Sequence, residues 1–198
     1  MNRVVTFLMV VFSLLAAEAM AVDLTRAKVI VQEKCRHCHG VDGEASSVIY
    51  PRLAGQHEEY IIKQLRNFRS GERRGTMNEL AADLTDDEIV ALAEYFSQKP
   101  TSIHKVRDEE FAAVGRYIFH QGNKYSGVAA CASCHGEKGL GTQTLPRLAG
   151  QHKHYVSTQL EDFDSRKRTN DNAIMHSVAS KLTELERESV ALYVSGLN

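Results

Sequence analysis

The stretch that most limits what this chain can become is Cys35-Arg36-His37-Cys38-His39-Gly40, which returns as Cys131-Ala132-Ser133-Cys134-His135-Gly136. The two runs use all four cysteines of the chain. In a C-x-x-C-H unit the two thiols can add across the vinyl groups of one haem, and the adjacent His is then held under the iron as its proximal ligand. Each unit therefore implies one covalently attached haem c, two in all. The same spacing also serves zinc ribbons and thioredoxin-like redox pairs. Zinc shared by the two units leaves unexplained why the sequence downstream of each pair is duplicated as well.

That duplication is extensive. Pro51-Arg52-Leu53-Ala54-Gly55-Gln56-His57 recurs unchanged as Pro146-Arg147-Leu148-Ala149-Gly150-Gln151-His152, and Tyr60, Gln64-Leu65 and Phe68 are matched by Tyr155, Gln159-Leu160 and Phe163. Two copies indicate two domains, whereas a solenoid needs at least about three stacked repeats. Apolar spacing predicts helices over 24–34 and 57–69 in the first copy, and over 109–120 and 152–164 in the second. Both 24–34 and 109–120 are expected to run into their cysteine units. Thr85-Asp86-Asp87-Glu88 and Thr183-Glu184-Leu185-Glu186 fit the capping box and start closing helices over 86–97 and 184–195. Pro100 stops the first of these, so the expected division is a domain over 22–97, a linker over 98–107 and a domain over 108–198. Units this small have small cores, which a haem would complete.

The first residues read as an export signal. Met1-Asn2-Arg3 precedes an apolar run over 4–17 and the small-x-small step Ala19-Met20-Ala21, so residues 1–21 are expected to be cleaved and the rest to reach the periplasm of a bacterium. Loose membrane association stays open. Export would ordinarily point to disulfides, but the haem reading leaves no cysteine for one. The formal net charge is −1, which offers nothing to nucleic acid.

Chemistry at each iron turns on what lies opposite the proximal His: a Met, a second His or nothing. Beyond the signal only Met77 and Met175 remain, each seven residues ahead of a Leu-Thr step. A Met usually fills a gap in a core. These two instead share one position in polar segments expected to be irregular, so they are assigned as the second axial ligands, Met77 opposite His39 and Met175 opposite His135. The second segment is three residues longer, counted from Gln64 and Gln159. His57 and His152 are expected at the surface or at a haem edge, and His176 has no counterpart because Asn78 holds its place.

On these motifs, over essentially the whole mature chain, the sequence resembles the cytochrome c4 family of di-haem class I cytochromes c. The resemblance implies an all-α fold, with two tandem class I cytochrome c domains packed about a pseudo-twofold axis and haem propionates close together across the interface. It implies that the carbonyls of Pro51 and Pro146 receive the ring N–H of His39 and His135, and that Arg52 and Arg147 reach propionates. Gly115 and Phe119 match the packing positions of the family's first helix, where the first copy has Ala27 and Val31. Two six-coordinate irons carry electrons and leave no site for substrate, so the implied role is that of a monomeric, non-enzymatic carrier. Its donor would be a quinol-oxidising complex or dehydrogenase, and its acceptor a haem-copper terminal oxidase. An alternative is the cytochrome subunit of a periplasmic dehydrogenase such as flavocytochrome c sulfide dehydrogenase. A di-haem peroxidase ranks third, since it needs an opening iron site in one half and the paired methionines oppose that.

Overall fold

Local sequence signals account for where the helices begin and end. The computed structural model describes residues 24–198, so the expected signal, residues 1–21, lies outside them. In the first half α1 (Leu24–Ile30) passes through a π-turn (Val31–Cys35) into α2 (Arg36–His39). Then come α3 (Glu58–Ser70), α4 (Met77–Ala81) and α5 (Asp86–Ser97). The second half repeats this with α6 (Glu109–Gln121), α7 (Ala132–His135), α8 (Lys153–Asp164), α9 (Ile174–Ala179) and α10 (Glu184–Ser195). Among the described residues there is no strand, only an isolated bridge between Asn123 and Val128. Both capping boxes form: Thr85 Oγ1 accepts from the Glu88 N–H at 3.2 Å while Glu88 accepts from the Thr85 N–H at 3.0 Å, and Thr183 with Glu186 does the same at 3.3 and 2.9 Å. Gly71 ends α3 at φ +80, the left-handed stop that costs glycine least.

Each half builds its own core. Ala27, Ile30 and Val31, at helical spacing, cover Ile89, Leu92, Ala93 and Phe96 of α5, with Ile61 of α3 closing the cluster. In the second half Ile118 and Phe119 meet Val190, Ala191 and Val194 of α10, with Val156, Leu160 and Phe163 of α8 beneath them. No residue belongs to both clusters, which makes the architecture two domains. The second crossing is the closer one. A Cβ added to Gly115 would lie 1.9 Å from the Ser189 carbonyl oxygen, so only glycine lets α6 and α10 approach this far.

The copies differ in how the chain reaches its cysteines. The first runs helically all the way to His39. Contrary to the expectation from the repeat, α6 does not enter the Cys131 unit: it stops at Gln121, and residues 122–130 fold as a closed loop. Gly122 turns the chain at φ +68, where an added Cβ would meet the Val128 carbonyl at 2.2 Å. Asn123 and Val128 exchange backbone hydrogen bonds of 2.9 and 3.0 Å, and the Asn123 amide donates to Glu186 Oε1 at 2.7 Å.

The domains meet through polar groups drawn from the repeat itself. Gln56 donates to the Arg147 carbonyl at 3.0 Å and accepts from the Arg147 N–H at 2.8 Å. Gln151 does the same to Arg52, at 2.9 Å both ways. His57 Nε2 lies 2.7 Å from the Leu140 carbonyl and His152 Nε2 2.8 Å from the Ala45 carbonyl; since a carbonyl only accepts, both rings donate. His152 is thereby buried, His57 stays half-exposed, and both histidines bridge the two domains. Such side chains satisfy backbone groups that the interface would otherwise strand.

Candidate metal centres

Both C-x-x-C-H units sit in the same local frame. Cys35 ends the π-turn and Cys38 and His39 lie in α2; Cys131 precedes α7, which holds Cys134 and His135. Gly40 and Gly136 follow at φ 72 and φ 79 and turn the chain away at once. All four cysteines are free thiols. Burial pushes the thiols of Cys35 and Cys131 up to about 11, the first offset in part by Lys34. A redox-active cysteine needs the opposite shift, toward thiolate. Among the described residues no group of three or more His, Cys, Asp or Glu is placed to hold a metal ion, so the two units do not converge on a zinc site.

The histidines are set up as ligands. His39 is 5% exposed and its Nδ1 lies 2.9 Å from the Pro51 carbonyl; His135 is 7% exposed, with Nδ1 3.1 Å from the Pro146 carbonyl. A carbonyl cannot donate, so each Nδ1 carries the proton. Burial lowers both pKa values, against the opposing pull of the proline carbonyls, which keeps the rings neutral. A neutral ring protonated at Nδ1 has its lone pair on Nε2, the form in which imidazole binds a metal. Each half thus supplies two unpaired thiols beside an oriented, neutral imidazole, a donor set that fits a covalently attached haem.

The segments that carry the two prolines are anchored by backbone bonds, one of them in each half to the closing helix. The N–H groups of Leu53 and Ala54 donate to Gly43 at 2.7 and 3.2 Å, and Gly55 donates to Phe96 at 3.0 Å near the end of α5. In the second half Leu148 and Ala149 donate to Gly139 at 2.8 and 3.0 Å, and Gly150 to Val194 of α10 at 2.9 Å.

Met77 is the first residue of α4 and Met175 the second of α9, both half-buried. The expected irregular segments are therefore short helices. Asn78 Nδ2 donates to the Phe68 carbonyl at 2.6 Å, and His176 Nδ1, 3.0 Å from the Phe163 carbonyl, does the same work in the second half. His176 is thus the functional counterpart of Asn78, pinning the helix that carries the adjacent Met. Asp171 caps α9 by accepting from the N–H of Met175 at 2.6 Å.

Arg52 pairs through Nε with Glu44 at 3.1 Å and through Nη1 with the Gly150 carbonyl; Arg147 Nε donates to the Ala149 carbonyl at 3.1 Å. Burial lowers the pKa of both, and Glu44 restores part of it. Glu44, Arg52, Gln56, Arg147 and Gln151 surround a cavity of about 10 Å³ between the domains, room for about one water. Sequence reasoning missed the interface role of Gln56 and Gln151, and it passed over Arg73 and Arg168, although all four recur at matched positions.

Comparison with known proteins gives the same picture. Residues 22–96 match the family model for cytochrome c oxidase, cbb3-type, subunit III, and residues 119–198 match that for cytochrome c. The chain is 39% identical over 168 residues to cytochrome c4 of Thiocapsa roseopersicina, covering 83% of this chain and 87% of that one. It is 33% identical over 167 residues to the thiosulfate dehydrogenase electron acceptor of Thiomonas intermedia, covering 81% and 77%. The crystal structure of reduced recombinant cytochrome c4 from Pseudomonas stutzeri superposes with a TM-score of 0.83 at 34% identity, over 90% of this chain and 100% of that one.

Proposed function

Since the chain belongs to the cytochrome c4 family and carries two covalently bound haem c groups in an electron-transfer fold, we propose that it is a periplasmic carrier. In this reading it takes electrons from a quinol-oxidising complex or dehydrogenase and delivers them to a haem-copper terminal oxidase. Bound haem iron supplies a one-electron couple. Cys35 and Cys38 hold one haem and Cys131 and Cys134 the other, through thioether bonds. His39 and His135 give their free Nε2 to the irons. Pro51 and Pro146 fix the ring tautomer and raise its basicity. Met77 and Met175 would each supply a thioether ligand, which favours the reduced state relative to a second His. Arg52 and Arg147 would contact propionates. The proposal keeps the division into 22–97, 98–107 and 108–198, with residues 1–21 removed on export. Among the described residues no helix is long and apolar enough to cross a membrane.

The observation that carries this reading is the duplicated buried imidazole, Nδ1 tied to a proline carbonyl, beside a pair of free thiols. Protein made with intact haem-maturation machinery should keep two haems after denaturation, read by mass. Fewer than two would overturn the assignment of the cysteines. A second reading, as the electron-accepting cytochrome of a dehydrogenase, draws on the likeness to the Thiomonas intermedia protein. Co-purification with a stoichiometric dehydrogenase would favour it over the free carrier.

A further inference from the structure

The two segments that lead to the proposed axial methionines are not equally relaxed. Among the described residues three that are not glycine have left-handed backbone: Arg166 at φ 61, Asn172 at φ 54 and Ala173 at φ 63. All three lie between α8 and Met175. That conformation crowds Cβ against the following carbonyl; Asn tolerates it best, and Ala has no polar group with which to compensate. The first copy uses glycine at its positive-φ positions, Gly71 at φ 80 and Gly75 at φ 154. Ala173 stands two residues before Met175, in the place that Gly75 holds before Met77, and no glycine occurs between 151 and 195.

Contacts on both sides hold the second turn in this shape. Upstream, Arg168 and Asn170 are buried and reach the first domain: Arg168 Nη2 donates to Tyr60 Oη at 3.0 Å, and Asn170 Nδ2 donates to Asn67 Oδ1 at 2.8 Å and Gln64 Oε1 at 3.0 Å. Arg73 makes the reciprocal reach to Tyr155 Oη at 3.0 Å. Downstream, His176 is pinned to the Phe163 carbonyl at 3.0 Å. The three extra residues of this copy fall between those fixed points, and the chain takes up the added length by passing Asn172 and Ala173 through left-handed conformations in succession. Asp171 braces the turn, Oδ1 accepting from the Ala173 N–H at 3.2 Å and Oδ2 from the N–H groups of Met175 and His176 at 2.6 and 3.2 Å. In the first copy Asn78 does this by accepting from the Gly75 N–H at 2.7 Å and donating to the Phe68 and Arg73 carbonyls at 2.6 and 2.8 Å.

Backbone strain persists only where its surroundings enforce it, and it is released when a neighbouring bond gives way. A left-handed L residue costs roughly fivefold to thirtyfold in an equilibrium. Letting Met175 go frees Asn172 and Ala173 to return to ordinary backbone, so the strain offsets part of the lost iron–sulfur bond. Met77 has no such offset. We propose that the second iron is a gated binding site for a small neutral ligand of ferrous iron, carbon monoxide being the type, and that Met175 is its gate. In the exchange the iron–sulfur bond breaks with its electron pair staying on the thioether, and the incoming ligand gives its own pair to the iron. The oxidation state does not change. This rests on the two-haem reading and the Met175 assignment above.

The test titrates the reduced holoprotein with carbon monoxide, after two haems have been counted by mass and two methionine–iron absorption bands in the oxidised form. One haem should take up the ligand at a concentration at least roughly fivefold below the other, since apparent affinity scales with the open fraction. Met175→His should abolish that tighter uptake. Ala173→Gly relaxes the closed turn and should weaken it about fivefold, and Asn172→Gly should weaken it less. Arg166→Gly is the control: it also relieves a left-handed residue, but upstream of the anchored Arg168 and Asn170, so it should raise the thermal midpoint and leave the affinity in place. Equal uptake at both haems, uptake at neither, or tight uptake that survives in Met175→His would overturn the proposal. So would an affinity unchanged in both Ala173→Gly and Asn172→Gly, or one weakened as much by Arg166→Gly as by Ala173→Gly, which would mark a general effect of stability. Fewer than two haems in the parent would instead sink the two-haem reading, and fewer than two methionine–iron bands the methionine assignment, both separate failures.

Discussion

Replacing Gln56 by Ala should loosen the contact between the domains and leave both cores intact. Gln56 is 7% exposed and belongs to neither apolar cluster. Its side chain holds the N–H and the carbonyl of Arg147 at 2.8 and 3.0 Å. Ala strands both groups. An orphaned buried polar group costs about 1–3 kcal/mol, and water entering from the adjoining cavity puts each at the low end, for a total of about 2 kcal/mol. At 1.4 kcal/mol per factor of ten, that is about 30-fold in the docking equilibrium. Trypsin reads the effect at Lys105 and Arg107. In the docked protein this segment is tied down: the Ser102 N–H donates to Glu44 Oε1 at 3.0 Å, and His104 Nε2 lies 3.5 Å from the same carboxylate. When opening is fast relative to cleavage, the cleavage rate follows the open population, so Gln56→Ala should be cut about 30 times faster between the domains. Gln151→Ala should behave alike. An unchanged cleavage rate with an unchanged denaturant midpoint would refute the claim that these amides hold the interface.

Three further outcomes follow from features of single sites. Gly115→Ala should destabilise the second domain by about 1–3 kcal/mol, because helix α6 must back away from the Ser189 carbonyl; a thermal melt matching the parent would contradict this. Met77→Ala and Met175→Ala should each open one iron to carbon monoxide and lower its potential, and a variant whose spectrum and potential stay unchanged would mark that Met as core packing. Burial raises the pKa of Glu186, but donation from Asn123 and Thr183 pulls it below its usual value. A depressed folded pKa gives stability above the unfolded value of about 4.3 that is lost as pH falls through the folded one, so Glu186→Gln should flatten the acid limb of the stability curve below about pH 4.3. An acid limb that keeps its slope would show that the cap carries no such linkage.

What could be read from the sequence was whatever is encoded within one copy. The capping boxes at Thr85 and Thr183 announce α5 and α10, and apolar spacing announces α3 and α8, because these signals are local. The loop over 122–130 escaped, since comparing the copies assumes that both helices meet their cysteines alike, whereas the turn at Gly122 and the grip of Asn123 on Glu186 are settled by tertiary contacts. The short helices α4 and α9 escaped because five or six residues carry too little periodicity to register. The interface was the largest omission. Gln56, His57, Gln151 and His152 were visible as repeated residues, but a repeat is conspicuous whether it lines a cofactor or faces its own copy, and nothing along one strand of sequence separates the two. Arg73 and Arg168 look like solvated charges until the fold places them against each other's tyrosines.

The pairing of Gln56 with Arg147 and of Gln151 with Arg52 also speaks to ancestry. Each copy presents both the gripping amide and the gripped backbone, so the contact surface is complementary to itself. A lone copy of the unit would therefore carry everything needed to pair with an identical molecule about a twofold axis, the isologous arrangement of ordinary homodimers. On this view fusion through the segment over 98–107 invented no contact: it replaced a bimolecular encounter by a tethered one at an effective concentration of order millimolar. Once fused, the two partners were free to diverge one at a time, as the extra loop of the second copy and the closer helix crossing at Gly115 record.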